Sequence, residues 1–257
     1  MVTILGNSYM RPDFFTAAAT GTIPGVSVIK KFGFNPAVSA AVETIWDEGG
    51  LYSYIPTPSQ LTVSSTATTD NPASTGAHTV VLLGLDSNML ELPPELLTMD
   101  GQNPVTTGNT YSRVYRAFVQ TAGASGCSDG TIRFGTGAVA VGVPANVFAS
   151  ILPTLNQSRM GLYTIPSDKT GLLYQIYTNS GEGKEVEVQL FARDPGSVFK
   201  LQGQTNIFEN VFVTLNLIPF VLPPSTDIET RAASSAVGAS VNVALDIMLI
   251  SNDVPIR

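Results

Sequence analysis

The stretch "KEVEVQLFARD", Lys184 to Asp194, alternates with a period of two. Val186, Val188, Leu190 and Ala192 fall on one face, and Glu185, Glu187, Gln189 and Arg193 on the other. Successive side chains of a strand point to opposite faces, so this pattern predicts a β-strand with one face on a core and one in solvent. "ASVNVALDIMLI" reads the same way, with Val241, Val243, Leu245, Ile247 and Leu249 on one side. So does "TDIETRAAS", whose acids and Arg231 stand opposite Ile228 and Ala232 and are expected toward solvent.

Between such runs lie turn clusters: "TDNPASTG", "MDGQNPVTTGN", "AGASGCSDG", "NSGEGK", "RDPGS" and "LPPSTD". Glycine supplies positive φ, proline fixes φ, and Asn or Asp caps its own turn. Short strands at this spacing predict an all-β chain, an antiparallel β-sandwich or jelly roll. One segment, "NPAVSAAVETIW", fits a helix capped by Asn35 with Pro36 in its first position. Val38, Val42 and Trp46 in it fit alternation equally well.

Composition divides the chain into three. Residues 1–57 are rich in Gly, Pro and aromatics and read as an extended N-terminal arm containing the Trp46-Gly49-Gly50 motif. Residues 58–142, rich in Thr, Ser and Gly, predict a first β-sandwich domain, and residues 143–257, with longer and cleaner strands, a second. One large double sheet is the alternative, and no repeat of fixed period is visible.

The 257 residues suffice for a substantial core. Hydrophobic residues make up 44% and charged residues only 13%, which suits a surface partly covered by neighbours rather than a disordered chain. A net charge of −7 with scattered basic residues argues against nucleic-acid binding. The most apolar stretch, "VFVTLNLIPFVLPP", is broken by Asn216 and Pro219 and is not expected to span a bilayer. The N-terminus lacks a basic region followed by a long apolar run, so a soluble protein not secreted by the usual route is expected.

Catalytic chemistry finds little support. The one histidine, His78, opens the apolar run of "STGAHTVVLLGLDSN" with no G-x-S-x-G elbow or oxyanion loop, and is expected simply to begin a strand. One cysteine, Cys127 in a Gly/Ser loop, allows neither an intrachain disulfide nor a Cys-rich zinc site. "DSN" at Asp86–Asn88 and "SDG" at Ser128–Gly130 read as turns rather than calcium loops. Glu185 and Glu187 alternate with core valines as solvent-facing acids do, not as a glycosidase pair. No catalytic, cofactor-binding or metal-binding residue is expected, and no cofactor.

The aromatics suggest interfaces instead. Phe14, Phe15, Phe32 and Phe34 stand among Gly and Pro in a segment that cannot build a core alone, which predicts anchors reaching a neighbouring subunit. Trp46, Tyr52 and Tyr54 cluster in "ETIWDEGGLYSYIP" and join that set. As a sugar platform they would make the chain a carbohydrate-binding host-recognition module.

Several segments in order carry a family resemblance: "ETIWDEGGLYSYIPTPSQLTVSST", "TGAHTVVLLGLD", "TMDGQNPVTTGNTYSRVYRAFVQTAG", "PPSTDIETRAASS" and the terminal "NVALDIMLI". Together, from about Asn35 to the C-terminus, they resemble virion structural proteins of tailed phages of aquatic bacteria, including cyanophages. The resemblance implies a non-enzymatic protein located in the virion, assembled in the host cytoplasm, with other virion proteins as partners and no catalytic residues. The best fit is a capsid cement or decoration protein on the major capsid protein, the alternative a neck, tail or fibre-base component. That family often has a basic residue where His78 stands and an alternating strand where "VVLLGL" is continuously apolar. The departure leaves open whether another subunit covers this strand; with the low charge fraction it predicts a homo-oligomer, a trimer.

Overall fold

A computed structural model describes residues 2–4, 7–9, 13–181, 184–208, 211–235 and 238–253. The described elements are, in order, β1 (Val2–Ile4), β2 (Asn7–Tyr9), α1 (Phe14–Ala19), β3 (Val26–Val38), β4 (Glu43–Thr44), β5 (Thr62–Ser65) and β6 (Ala77–Leu85). They continue with β7 (Glu95–Thr98), β8 (Val105–Thr106), β9 (Arg113–Ala122), β10 (Ile132–Ala140), β11 (Val143–Ile151) and β12 (Leu162–Thr164). The last are β13 (Lys169–Ser180), β14 (Glu185–Arg193), β15 (Lys200–Phe208), β16 (Val211–Leu222), β17 (Asp227–Ser234) and β18 (Ala239–Ser251). Every pairing described between these strands is antiparallel, as the alternation predicts.

Two cores organise the molecule. Sheets β11-β10-β5-β8 and β7-β6-β9 enclose the first, which includes Leu61, Val63, Val80, Leu82, Ile132 and Phe134. Sheets β16-β13-β18-β3 and β12-β17-β14-β15, with β4 beside β17, enclose the second. Here the expected faces are buried: Val186, Val188, Leu190 and Ala192 of β14 meet Val241, Val243, Leu245, Ile247 and Leu249 of β18.

The chain divides between these cores differently from the compositional boundaries. Residues 26–38, expected in the arm, form β3 and pair with β18 along nearly its whole length, from Val26 opposite Ile250 to Val38 opposite Ala239. The chain then crosses into the first sandwich and returns at β12. Exit and return lie side by side: Ile45 N donates to Thr230 O (2.9 Å), Gly161 N to Ile45 O (2.8 Å), and Trp46 bridges Met160. The first sandwich is thus an insertion in the second, with its two ends together, the usual geometry for an inserted domain. The boundary at 142/143 falls inside the β10–β11 hairpin, where Ala140 pairs with Val143. Val141 (φ 50°) and Gly142 (φ 74°) make its two-residue turn with both φ positive.

β3 escapes a periodicity reading because three successive inward positions in its middle are not apolar. Lys31, Gly33 and Asn35 point in, while Phe32 and Phe34 point out. Gly33 faces inward because backbone crosses there: a Cβ on it would lie 2.3 Å from Gly161 N and 2.5 Å from Ile45 O. The helix considered over "NPAVSAAVETIW" does not form. Asn35 instead lies within β3, its Nδ2 donating to Glu43 Oε2 (3.1 Å). The helix described is α1, where no helix was expected; Asp13 caps it by accepting from Thr16 N (3.0 Å).

The continuously apolar strand β6 needs no second subunit to cover it. Val80 and Leu82 belong to the first core, and Leu85 to the second. A strand lying between two cores of one chain is apolar at both parities for the same reason as a strand at a subunit interface.

Candidate functional site

The densest cluster of ionisable groups lies where the two sandwiches meet. The acids of β17, expected toward solvent, are buried there. Arg113 of β9 donates to Asp227 through Nε to Oδ1 (2.9 Å) and Nη2 to Oδ2 (3.0 Å). Arg193 of β14 adds Nε to Oδ2 (3.1 Å), and Thr164 adds Oγ1 to Oδ1 (2.6 Å). Burial pushes the Asp227 carboxyl up, but the bonds and charges of Arg113, Thr164 and Arg193 outweigh it and hold its pKa below the ordinary value. Glu229 accepts from Arg231 Nε (2.8 Å) and Tyr54 OH (3.3 Å). The Tyr54 ring lies against both guanidinium groups, 4.9 Å from Arg113 and 4.6 Å from Arg193.

A cleft of about 690 Å³ opens beside this cluster, lined by Tyr54, Pro58, Arg113, Arg193 and Ser225. Both arginines are already engaged with one carboxylate, Arg113 from the first sandwich and Arg193 from the second, so the arrangement acts as a clamp. Asp47 and Arg159 form a second one (Nε to Oδ1 2.7 Å), with the Arg159 guanidinium 4.2 Å from the Phe34 ring. Burial raises the Asp47 pKa despite that partner.

His78 is the second residue of β6, and its Nε2 lies 2.9 Å from Ser74 O. The turn at Ser128–Gly130 is held by Asp70, a buried carboxylate unremarked in the sequence. Its Oδ1 accepts from Ala77 N (2.7 Å) and Asp129 N (2.9 Å), and its Oδ2 from Gly130 N (3.0 Å). Among the described residues no group of three His, Cys, Asp or Glu side chains is placed to hold a metal. Cys127 is a free, partly exposed thiol.

The aromatic anchors separate into two groups. Trp46 (5% exposed) and Tyr52 (8%) are core residues. Trp46 Nε1 donates to Gly49 O (2.7 Å), Tyr52 OH donates to Phe148 O (2.9 Å), and their rings meet edge to face at 5.0 Å. Tyr54 continues the stack at 4.9 Å from Tyr52. These three rings knit the linker into the molecule, so Trp46 and Tyr52 present no platform to a sugar. Phe14, Phe15 and Phe32 are exposed, and Phe15 touches the Tyr174 ring at 5.3 Å.

Many of the exposed large apolar side chains among the described residues lie on two edge strands. β15 and β16 are edge strands of the two sheets of the second sandwich. Phe208, Val211, Val213, Leu215, Ile218 and Val221 each expose half or more of their surface. "VFVTLNLIPFVL", too broken to span a bilayer as a helix, contains no charged residue. Edge strands ordinarily carry charges that block pairing, so a charge-free edge is a signal for something that covers it. Among the described residues no helix is long and apolar enough to cross a membrane.

No family model matches this chain, and no curated protein matches it. Among solved structures it is similar to that of the infectious bursal disease virus Gt strain, at 9% identity and a TM-score of 0.20, over 94% of this chain and 81% of that one. It is similar to the infectious bursal disease virus VP2 subviral particle at 10% identity and a TM-score of 0.23, over 93% of this chain and 77% of that one. Likeness at these scores is too slight to carry an argument about function.

Proposed function

We propose that the protein is a non-enzymatic structural component of a tailed-phage virion: a cement or decoration protein, seated on the major capsid protein as a homotrimer. The sequence segments that resemble such virion proteins run in order through nearly the whole chain. The observation that carries the reading is the distribution of polar and apolar groups. Arg113, Arg159 and Arg193 are drawn into ion pairs between segments distant in sequence, while large apolar side chains are left on the surface of edge strands. A rigid body with surface to be covered suits assembly better than turnover.

Quantitative mass spectrometry and reconstruction of purified particles test the reading. A copy number matching the capsid lattice is expected. A copy number matching a single ring would move the protein to the neck, tail or fibre base, and absence from particles would overturn the virion role. Hydrolysis of a host polysaccharide that disappears in His78→Gln would overturn the non-enzymatic part.

A further inference from the structure

We propose that the cleft between the two sandwiches binds a carboxylate group, with the Arg193 guanidinium as its principal donor. The inference goes beyond the proposed function and does not depend on a place in a particle. Three observations carry it.

The first is position. The cleft of about 690 Å³ takes Ser87, Ser112 and Arg113 from the first sandwich and Arg193, Ser197 and Ser225 from the second. Its size falls within the roughly 300–1,000 Å³ of ligand pockets, which form preferentially at domain interfaces.

The second is charge. Among the described residues, the charged groups lining the cleft are Arg113, Arg193 and Asp227, two cations to one anion. The neighbouring acids are turned elsewhere. Asp86 Oδ1 accepts from Asn88 N (2.8 Å) and Leu90 N (2.9 Å), and Asp194 Oδ1 accepts from Thr226 Oγ1 (3.2 Å). One positive charge is therefore left over, in a chain whose net charge is −7. A charge held away from bulk water is unfavourable unless it is paired. A monoanion completes the balance, whereas a phosphate dianion would set a surplus negative charge beside Asp227.

The third is unused donors. Arg193 directs Nε and Nη2 to Asp227, and its Nη1 has no hydrogen-bond partner among the described residues. Its guanidinium is held against two rings, 4.6 Å from the Tyr54 centroid and 4.3 Å from that of Phe199. Around it the hydroxyls of Ser87, Ser112, Ser197 and Ser225 likewise have no partner among the described residues. Ser112 is only 3% exposed, and a buried hydroxyl without a partner is destabilising until an acceptor reaches it. A carboxylate brings two acceptor oxygens, matching an unpaired guanidinium N–H and a neighbouring hydroxyl.

NMR titration of the full-length chain, read at the Arg193 Nε–H and the amides of Ser112, Ser197 and Ser225, tests this. The probes are sodium acetate, acetyl-glutamic acid amide, acetyl-glutamine amide and inorganic phosphate, with sodium chloride as the ionic-strength control. Saturable shifts are expected with acetate or the glutamic acid probe, and none with the neutral glutamine probe or chloride. Tighter binding of the glutamic acid probe identifies an acidic side chain of another protein as the source; equal binding of the two identifies a free carboxylate. Arg193→Gln should weaken binding about tenfold, the effect of losing one charged hydrogen bond. Ser197→Trp should weaken it as much by filling the cleft, with the Asp227 ion pairs left in place. Absence of saturable shifts with both carboxylates overturns the site, as does binding of phosphate alone or equal binding of the neutral probe. Unchanged affinity in Ser197→Trp, with wild-type circular dichroism, also overturns it.

Discussion

Arg113 and Asp227, 114 positions apart, join the two sandwiches through a bidentate ion pair in which Asp227 is almost wholly buried. The first sandwich supplies the guanidinium and the second the carboxylate. Arg193 and Thr164 occupy the remaining acceptor sites, so Asp227 keeps partners when Arg113 is removed, whereas removing Asp227 leaves two guanidinium groups without their carboxylate.

Asp227→Ala is therefore expected to destabilise the protein by about 3–5 kcal/mol, as for other broken buried pairs, and Arg113→Ala by less. Chemical denaturation checks it. Because Asp227 has a folded pKa below its unfolded 3.8, its contribution is complete above that value. It is lost as pH falls through the folded pKa. Wild-type stability should fall on acidification from about pH 4, and more shallowly in Asp227→Asn.

Lys31 gives the opposite sign. Its amine is buried and donates to the Tyr115 carbonyl. Burial, then repulsion from Arg116, pushes its pKa down from 10.5 to about 7. Between pH 7 and 10.5 the unfolded chain holds a proton that the folded chain has lost, so stability rises with pH across that window. Lys31→Met should remove this rise, measured as the difference in unfolding free energy between pH 7 and pH 9.

Gly33→Ala should destabilise by at least the ~1–3 kcal/mol typical of overpacking, because the added carbon would meet backbone atoms of Gly161 and Ile45 rather than side chains that can move. A thermal melt shows it. An unchanged Tm would mean that the crossing of β3 over the domain joint is looser than its geometry.

Truncation separates the arm from the fold. Removing residues 1–24 takes away β1, β2 and α1 and should leave both sandwiches folded by circular dichroism. Removing residues 1–34 also takes most of β3 from the edge of its sheet. It should unfold the second sandwich and lower the midpoint of urea denaturation.

Much of this fold was legible in the sequence. β14 and β18 bury the faces that period-two alternation assigns to them, because a strand between core and solvent has a chemically different environment on each side. His78 lies at the start of β6, and the clusters "TDNPASTG" and "DPGS" lie between strands for the same local reason. Local pattern could not reveal which strands share a core. β3 carries Lys31, Gly33 and Asn35 inward because it passes over a backbone crossing, where small and hydrogen-bonding groups fit and phenylalanines do not. Asp227 and Glu229 alternate like solvent-facing acids, yet arginines brought from β9 and β14 make their burial favourable. β16 and β6 are equally apolar in sequence, but β6 is enclosed by two cores of its own chain and β16 is left at an edge. Sequence determined the local alternation and the turns, since these depend on backbone geometry and side-chain solvation alone. Tertiary structure decided which faces are covered and by what, since that depends on partners brought together from distant positions in the chain.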